Sequence, residues 1–181
     1  MVYRFLLLSD ETDTFKREIQ ISSQATFLDF HNEIMKNTGY DSNQLYSFII
    51  CGDDWTKQTE VTQIEMDTSS EEDSYTMDNT CLEDLVTEEN QKLLYVFDQL
   101  SERGFFIELR QIITGKDLKS PVCTKSVGTP PKQFLDYNLA AMDFTTPDLD
   151  EEFYGEDDYD DEELDGFDSD SFDDAPHGER F

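Results

Sequence analysis

The sequence predicts an α+β domain: a mainly antiparallel sheet of five to six strands with one main helix packed on a face, followed by an acidic, disordered C-terminal tail. Three observations lead there. Thr26 to Ile50, TFLDFHNEIMKNTGYDSNQLYSFII, reads as a capped helix, a tight exit and a strand. Several other runs are alternating or β-branched and aromatic, with turn residues between them. Finally, the charge is split along the chain. Residues 1–132 carry 24 acidic and 12 basic residues, whereas residues 133–181 carry 19 acidic residues and one arginine.

Taken in order, Val2 to Leu8 is a near-continuous apolar run, suited to a strand covered on both faces. Ser9 to Thr14 is polar and turn-like. Phe15 to Ile21 alternates, with Phe15, Arg17, Ile19 and Ile21 on one side, so the two runs form a hairpin candidate. On a helical wheel, Phe27, Leu28, Phe30, His31, Ile34 and Met35 share an arc of about 160°. Asp29, Asn32, Glu33, Lys36 and Asn37 take the polar remainder. Ser23 or Thr26 can cap the start, because a hydroxyl accepts from otherwise unpaired N–H groups. Gly39 can end the helix in a left-handed conformation. Asp41 to Asn43 then supply turn chemistry, and Leu45 to Cys51 is a strand.

Gly52-Asp53-Asp54 is a turn closed by Trp55, and Glu60 to Ile64 is a short strand candidate. Glu65 to Thr80 lacks apolar periodicity and reads as a mobile acidic loop. Leu82 to Val86 allows one helical turn. Lys92 to Asp98 and Phe105 to Thr114 are strands, separated by a turn at Ser101 to Gly104. Gly115 to Lys132 is extended and turn-rich. The order hairpin, helix, strand is also that of a ubiquitin-like grasp. The domain is expected over residues 1–133 and the tail over 134–181.

The formal net charge of −30 repels phosphate backbones and anionic lipid, so neither nucleic acid nor a membrane surface is the expected partner. A basic protein is. Phe5 to Leu8 is too short for the apolar core of a secretion signal, and Glu11 and Asp13 follow it. Cys51, Cys81 and Cys123 are odd in number and widely spaced, which suggests neither a disulfide framework nor a zinc site. The expected compartment is the cytoplasm.

Three islands carry a family resemblance. FLDFHNEIMKNTGYDSNQLYSFIICG resembles the opening of the plasmid Ri ORF-three-like family, a helix of the form LxxLHxxIxxAFGW followed by LHxFxI and a glycine. Leu28, His31, Ile34, Gly39 and Tyr40, then Leu45, Tyr46, Phe48, Ile50 and Gly52, stand at or near those places. Leu94 to Asp98 resembles part of FxYxYDFGDxWxH, and Pro121 to Pro131 resembles YPVCxxGxxxxPPE. The resemblance covers about residues 2–133. It implies a compact α+β domain without an established activity, and some members are labelled transposon-associated resolvases. The chain departs from the pattern after Asp98. Gln99-Leu100-Ser101-Glu102, Gly104 and Phe106 replace the family's Gly-Asp, Trp and His. Tyr46 stands where the family tends to carry a second histidine.

No motif points to catalysis, and neither a cofactor nor a metal is expected. His31 could act as a ligand or acid–base group; the simpler reading is a buried imidazole with one hydrogen bond to backbone. His177 lies in the tail without an evident partner. Cys51 and Cys123 read as small core groups, although Lys119 and Lys125 are near Cys123 in sequence. Asp98 and Glu102 could form a carboxylate pair, but turn formation explains Asp98 equally well. Asp161, Glu163, Asp165 and Gly166 imitate part of a calcium loop, yet its twelfth position is Phe172 rather than glutamate. A resolvase needs a nucleophile set among arginines, and Arg4, Arg17, Arg103, Arg110 and Arg180 are scattered.

The expected function is therefore a non-enzymatic binding or adaptor domain whose acidic tail engages a basic protein surface, either on a partner or folded back on its own domain. Phe153, Tyr154, Tyr159, Phe167 and Phe172, interleaved with acids, are the candidate contact residues. Two alternatives remain. One is an acidic DNA mimic that blocks a nucleic-acid-binding protein; the other is a small enzyme built around His31, Asp98 and Cys123.

Overall fold

The computed structural model describes residues 1–65 and 74–135. Its strands are β1 (Val2–Leu8), β2 (Lys16–Ser22), β3 (Ser47–Cys51), β4 (Lys57–Thr62), β5 (Tyr75–Thr76), β6 (Lys92–Asp98), β7 (Arg103–Ile113) and β8 (Val122–Val127). The helices are α1 (Phe27–Thr38) and the single turn α2 (Leu82–Leu85). One sheet takes all eight strands in the order β5-β4-β3-β6-β7-β1-β2-β8. Every pairing is antiparallel except β4 with β5.

The helix forms where its periodicity and its caps agree. The Thr26 hydroxyl accepts from Asp29 N–H, and the Asp29 carboxylate accepts from Thr26 N–H, closing a capping box. Thr26, rather than Ser23, is the cap. The two preceding helix donors also find partners: Phe27 N–H donates to Thr80 O at 3.1 Å and Leu28 N–H to Met77 O at 2.8 Å. The segment before α2 therefore seats the helix start on the body of the domain. Gly39 ends α1 with φ 70°, and its N–H donates to Met35 O.

Phe27, Phe30, His31 and Ile34 are buried against the sheet face that carries Tyr3, Phe5 and Leu7, Phe48 and Ile50, Leu93, Tyr95 and Phe97, and Phe105 and Ile107. The core is built of ring contacts. Phe5 stacks on Phe30 at 4.6 Å between centroids, Phe30 on Phe48 at 5.3 Å, and Phe15 on Phe105 at 4.8 Å. On the opposite face Trp55 folds from the β3–β4 turn against Phe106, edge to face at 4.9 Å. It packs there with Ile49, Cys51, Leu94 and Val96.

Several expectations are corrected. The sheet has eight strands and is mixed, not five or six antiparallel strands. Of the two unforeseen strands, β5 is only two residues long and β8 has its alternation broken by a bulge at Thr124. They form because a neighbouring edge offers backbone donors and acceptors, and side-chain periodicity does not record that. Tyr75 and Thr76 sit within the stretch expected to be loop; residues 66–73 of that stretch lie outside the described residues. The strand expected from Leu45 starts at Ser47, leaving Leu45 55 % exposed. The strand expected at Glu60 to Ile64 is shifted back to Lys57–Thr62, leaving Ile64 exposed. The hairpin sets that register: Gly52 N–H donates to Thr56 O, and Trp55 takes φ 67°. Arg103 and Gly104 belong to β7 rather than to the turn before it. Glu33, placed on the polar part of the wheel, is buried. α1 contacts β8, the strand that the sequence did not reveal, and the Glu33 charge acts on Cys123 of that strand. Asn37 Nδ2 donates to Glu33 Oε1 at 2.9 Å, which satisfies the buried carboxylate.

Candidate functional site

His31 is buried at 4 % exposure and faces the sheet. Its partners are side chains, not backbone as expected. Nδ1 lies 2.8 Å from the Tyr95 hydroxyl, and Nε2 lies 3.3 Å from the Gln63 side-chain nitrogen. Gln63 Oε1 accepts from Tyr46 N–H at 3.0 Å, which orients the amide and leaves its NH₂ toward the imidazole. Nε2 is then the acceptor, and the geometry assigns the ring proton to Nδ1. The Tyr46 ring stands 5.0 Å from the imidazole. Burial lowers the His31 pKa to about 4. Protonation would also turn a second N–H against the Gln63 amine. A histidine held neutral at physiological pH, with both nitrogens engaged and aromatic walls around it, is packed as a polar core group.

The tyrosines continue this network to the surface. Burial, then the Asp41 charge, push the Tyr46 pKa up to about 12, and its hydroxyl donates to Asp41 O. Gln133 Nε2 donates to that hydroxyl at 2.8 Å. Tyr40 OH donates to Pro131 O at 2.7 Å. Residues 127–133 thus form a strap that two arginines also hold. Arg17 donates to Val127 O at 2.6 Å and Gly128 O at 3.1 Å, with its guanidinium over the Phe15 ring. Arg103 donates to Lys132 O at 2.6 Å and Gln133 O at 3.0 Å, and makes two 2.8 Å bonds to the Glu11 carboxylate. Sequence reasoning missed Tyr95, Gln63 and Arg103 as a group. The alternation of Leu93, Tyr95 and Phe97 was a signal for the first; nothing local marks the other two.

Asp98 and Cys123 have other surroundings. Asp98 Oδ1 accepts from the N–H groups of Leu100 and Ser101, and the carboxylate pairs with Arg103 at 3.6 Å. It is a turn residue. Glu102, its proposed companion, pairs with Lys57 at 3.3 Å. The Cys123 thiol donates to Lys125 O at 3.2 Å, and burial raises its pKa despite the nearby Arg17 charge. Burial likewise raises Cys51. His31, Asp98 and Cys123 therefore each bond within a separate set of partners. Among the described residues no three His, Cys, Asp or Glu side chains are grouped to hold a metal ion.

The family-pattern departures have structural consequences. Leu100 stands 96 % exposed at the β6–β7 turn. Phe106 seats Trp55 on the sheet face where the family pattern has a polar residue. A shallow groove of about 160 Å³ opens beside the turn, between Gln44, Phe97, Leu100, Gln133 and Phe134. That is well below the ~300 Å³ at which small-molecule sites begin. The candidate contact residues Phe153, Tyr154, Tyr159, Phe167 and Phe172, with His177 and the calcium-loop imitation, lie outside the described residues. Among the described residues no helix is long and apolar enough to cross a membrane.

A family model described as plasmid pRiA4b ORF-3-like protein matches residues 3–174, extending past the islands at about 2–133 into the acidic segment. No curated protein matches the chain. Among solved structures, a protein of unknown function from Methanosarcina mazei Go1 is similar, with 23% identity and a TM-score of 0.54 over 69% of this chain and 68% of that one. At that identity the likeness is one of fold. With 172 consecutive positions inside the family model, the chain belongs to the plasmid pRiA4b ORF-3-like protein family.

Proposed function

We propose that this is a cytoplasmic, non-enzymatic binding protein whose acidic C-terminal segment engages a basic surface on another protein. The observation that carries the reading is the charge split: residues 133–181 hold 19 acidic residues and one arginine, with Phe and Tyr recurring among them. Acids steer a basic partner, and aromatics supply the apolar contact that charge alone does not. The state of the polar groups in the folded part is in keeping with it. His31 is neutral and bonded, Asp98 serves a turn, and Cys51 and Cys123 are thiols rather than thiolates.

The test is affinity capture from lysate with the full chain and with a full chain in which Phe153, Tyr154, Tyr159, Phe167 and Phe172 are all replaced by Ala. The substitutions leave every charge in place. Partners captured by the natural chain are expected to fall away by about tenfold or more, as for loss of aromatic anchors. An unchanged set of partners at unchanged yield would overturn the reading. Competition by duplex DNA for the captured partner would instead favour the DNA mimic.

A further inference from the structure

We propose that the edge of β8 left unpaired among the described residues is a docking edge for an extended acidic peptide of a partner protein, which adds to the sheet as a further strand. The inference stands apart from the acidic C-terminal segment; it concerns a surface of opposite charge on the folded domain.

The first observation is the edge itself. β8 ends the strand order, and β2 is the only strand paired with it among the described residues. Val122, Thr124, Lys125, Ser126 and Val127 are exposed. In an edge strand the backbone N–H and C=O groups turned away from the neighbour have no ladder partner, and an incoming strand can use them. Six residues offer about 20 Å of such edge. By their pairing with Gln20 and Lys16, Val122 and Val127 lie on one face, at 44 % and 45 % exposure. They give alternate side chains of an added strand an apolar seat at each end.

The second observation is charge. Between the end of β7 and the end of β8, Lys116, Lys119 and Lys125 are accompanied by one acid, Asp117, in a chain of net charge −30. Lys16 joins them opposite Val127, and Lys116 Nζ is drawn toward β2 by Gln20 Oε1 at 2.9 Å. Only Glu18, opposite Lys125, offsets the group along the paired strand. At about 0.15 M salt the screening length is about 8 Å, so a peptide at this edge responds most to charges within that distance, these lysines among them.

The edge also discriminates. Lys125 at mid-strand, the bulge at Thr124 and Pro121 just before the strand are devices that keep sheet edges from pairing with their own kind. Two β8 edges brought together antiparallel would set lysine near lysine. A strand carrying Glu or Asp at alternate positions meets the opposite condition.

The experiment uses the full chain at 0.15 M salt and a fluorescent ten-residue peptide alternating Glu with Val. The expected result is saturable binding with slowed amide exchange in Val122–Val127. Lys116→Glu combined with Lys125→Glu, both exposed side chains, is expected to weaken binding by at least about tenfold. A peptide of equal charge interrupted by Pro is expected to bind about tenfold more weakly, because it cannot complete a ladder. Absence of saturable binding overturns the proposal. So does equal binding of the Pro-interrupted peptide, which would make the contact one of charge alone, or affinity unmoved by the two charge reversals. Self-association of the peptide-free chain that already protects the β8 amides would also overturn it, assigning the edge to a second copy.

Discussion

Replacing His31 with Gln tests whether this imidazole is a neutral core group. The folded-state pKa lies at about 4, below the ordinary 6.5, with burial as the cause. A histidine whose pKa is lowered by folding contributes stability that is fully present above about pH 6.5 and is lost as the pH falls from there toward 4. Linkage puts the loss at about 2 kcal/mol by pH 5.0, and solvent reaching the ring past half-buried Gln63 trims that toward about 1.5 kcal/mol. Glutamine takes up no proton in this range in either state, so it escapes this penalty. It does forfeit the ring contacts with Tyr46 and Tyr95 and the 2.8 Å bond to the Tyr95 hydroxyl, at a cost of about 2–3 kcal/mol. Urea unfolding of both chains at pH 7.5 and pH 5.0 is the assay; pH 5.0 stays above the sequence pI of 4.1. The carboxylates common to both chains cancel in the difference. The variant is expected to be less stable at pH 7.5, with the gap narrowing by about 1.5 kcal/mol at pH 5.0. A gap that stays constant, or widens on acidification, would refute the neutral imidazole.

Gly104→Ala places a methyl carbon 2.7 Å from the Tyr95 carbonyl oxygen and 3.2 Å from Leu94 Cδ1. Backbone cannot yield there, and a loss of about 1–3 kcal/mol in urea is expected; unchanged stability would mean that β6 and β7 are not in this register. Arg103→Ala removes both bonds to Glu11 and both carbonyl contacts to the strap. It is expected to cost about 2–4 kcal/mol and to speed amide exchange first in residues 127–133, whereas Arg103→Lys, lacking the planar fork, recovers less than half. Exchange in that segment no faster than in the natural chain would refute its role in holding the strap.

The elements read correctly in advance are those whose signals are local. β1, β6 and α1 announce themselves through apolar runs, alternation and a 3.6-residue period, and Thr26 and Gly39 mark the helix ends through their own chemistry. β8 does not, because VCTKSV is stabilised by backbone bonds to β2 and the bulge at Thr124 breaks the alternation of its apolar residues. Missing it also misplaced Glu33, which is buried on the helix that β8 contacts. The candidate site was legible to a similar degree. His31 was correctly placed on the buried face, but its partners Tyr95 and Gln63 are 64 and 32 positions away. No spacing rule reaches that far.

By itself the amino-acid order settled the helix and its stops, the alternating strands and the concentration of acids toward the C-terminus, since each depends on neighbours a few bonds apart. The sheet order, the neutral state of His31 and the lysine-lined edge of β8 were decided only when distant segments met. Backbone pairing and burial act between residues that the chain brings together, and their energy is not written in any one stretch.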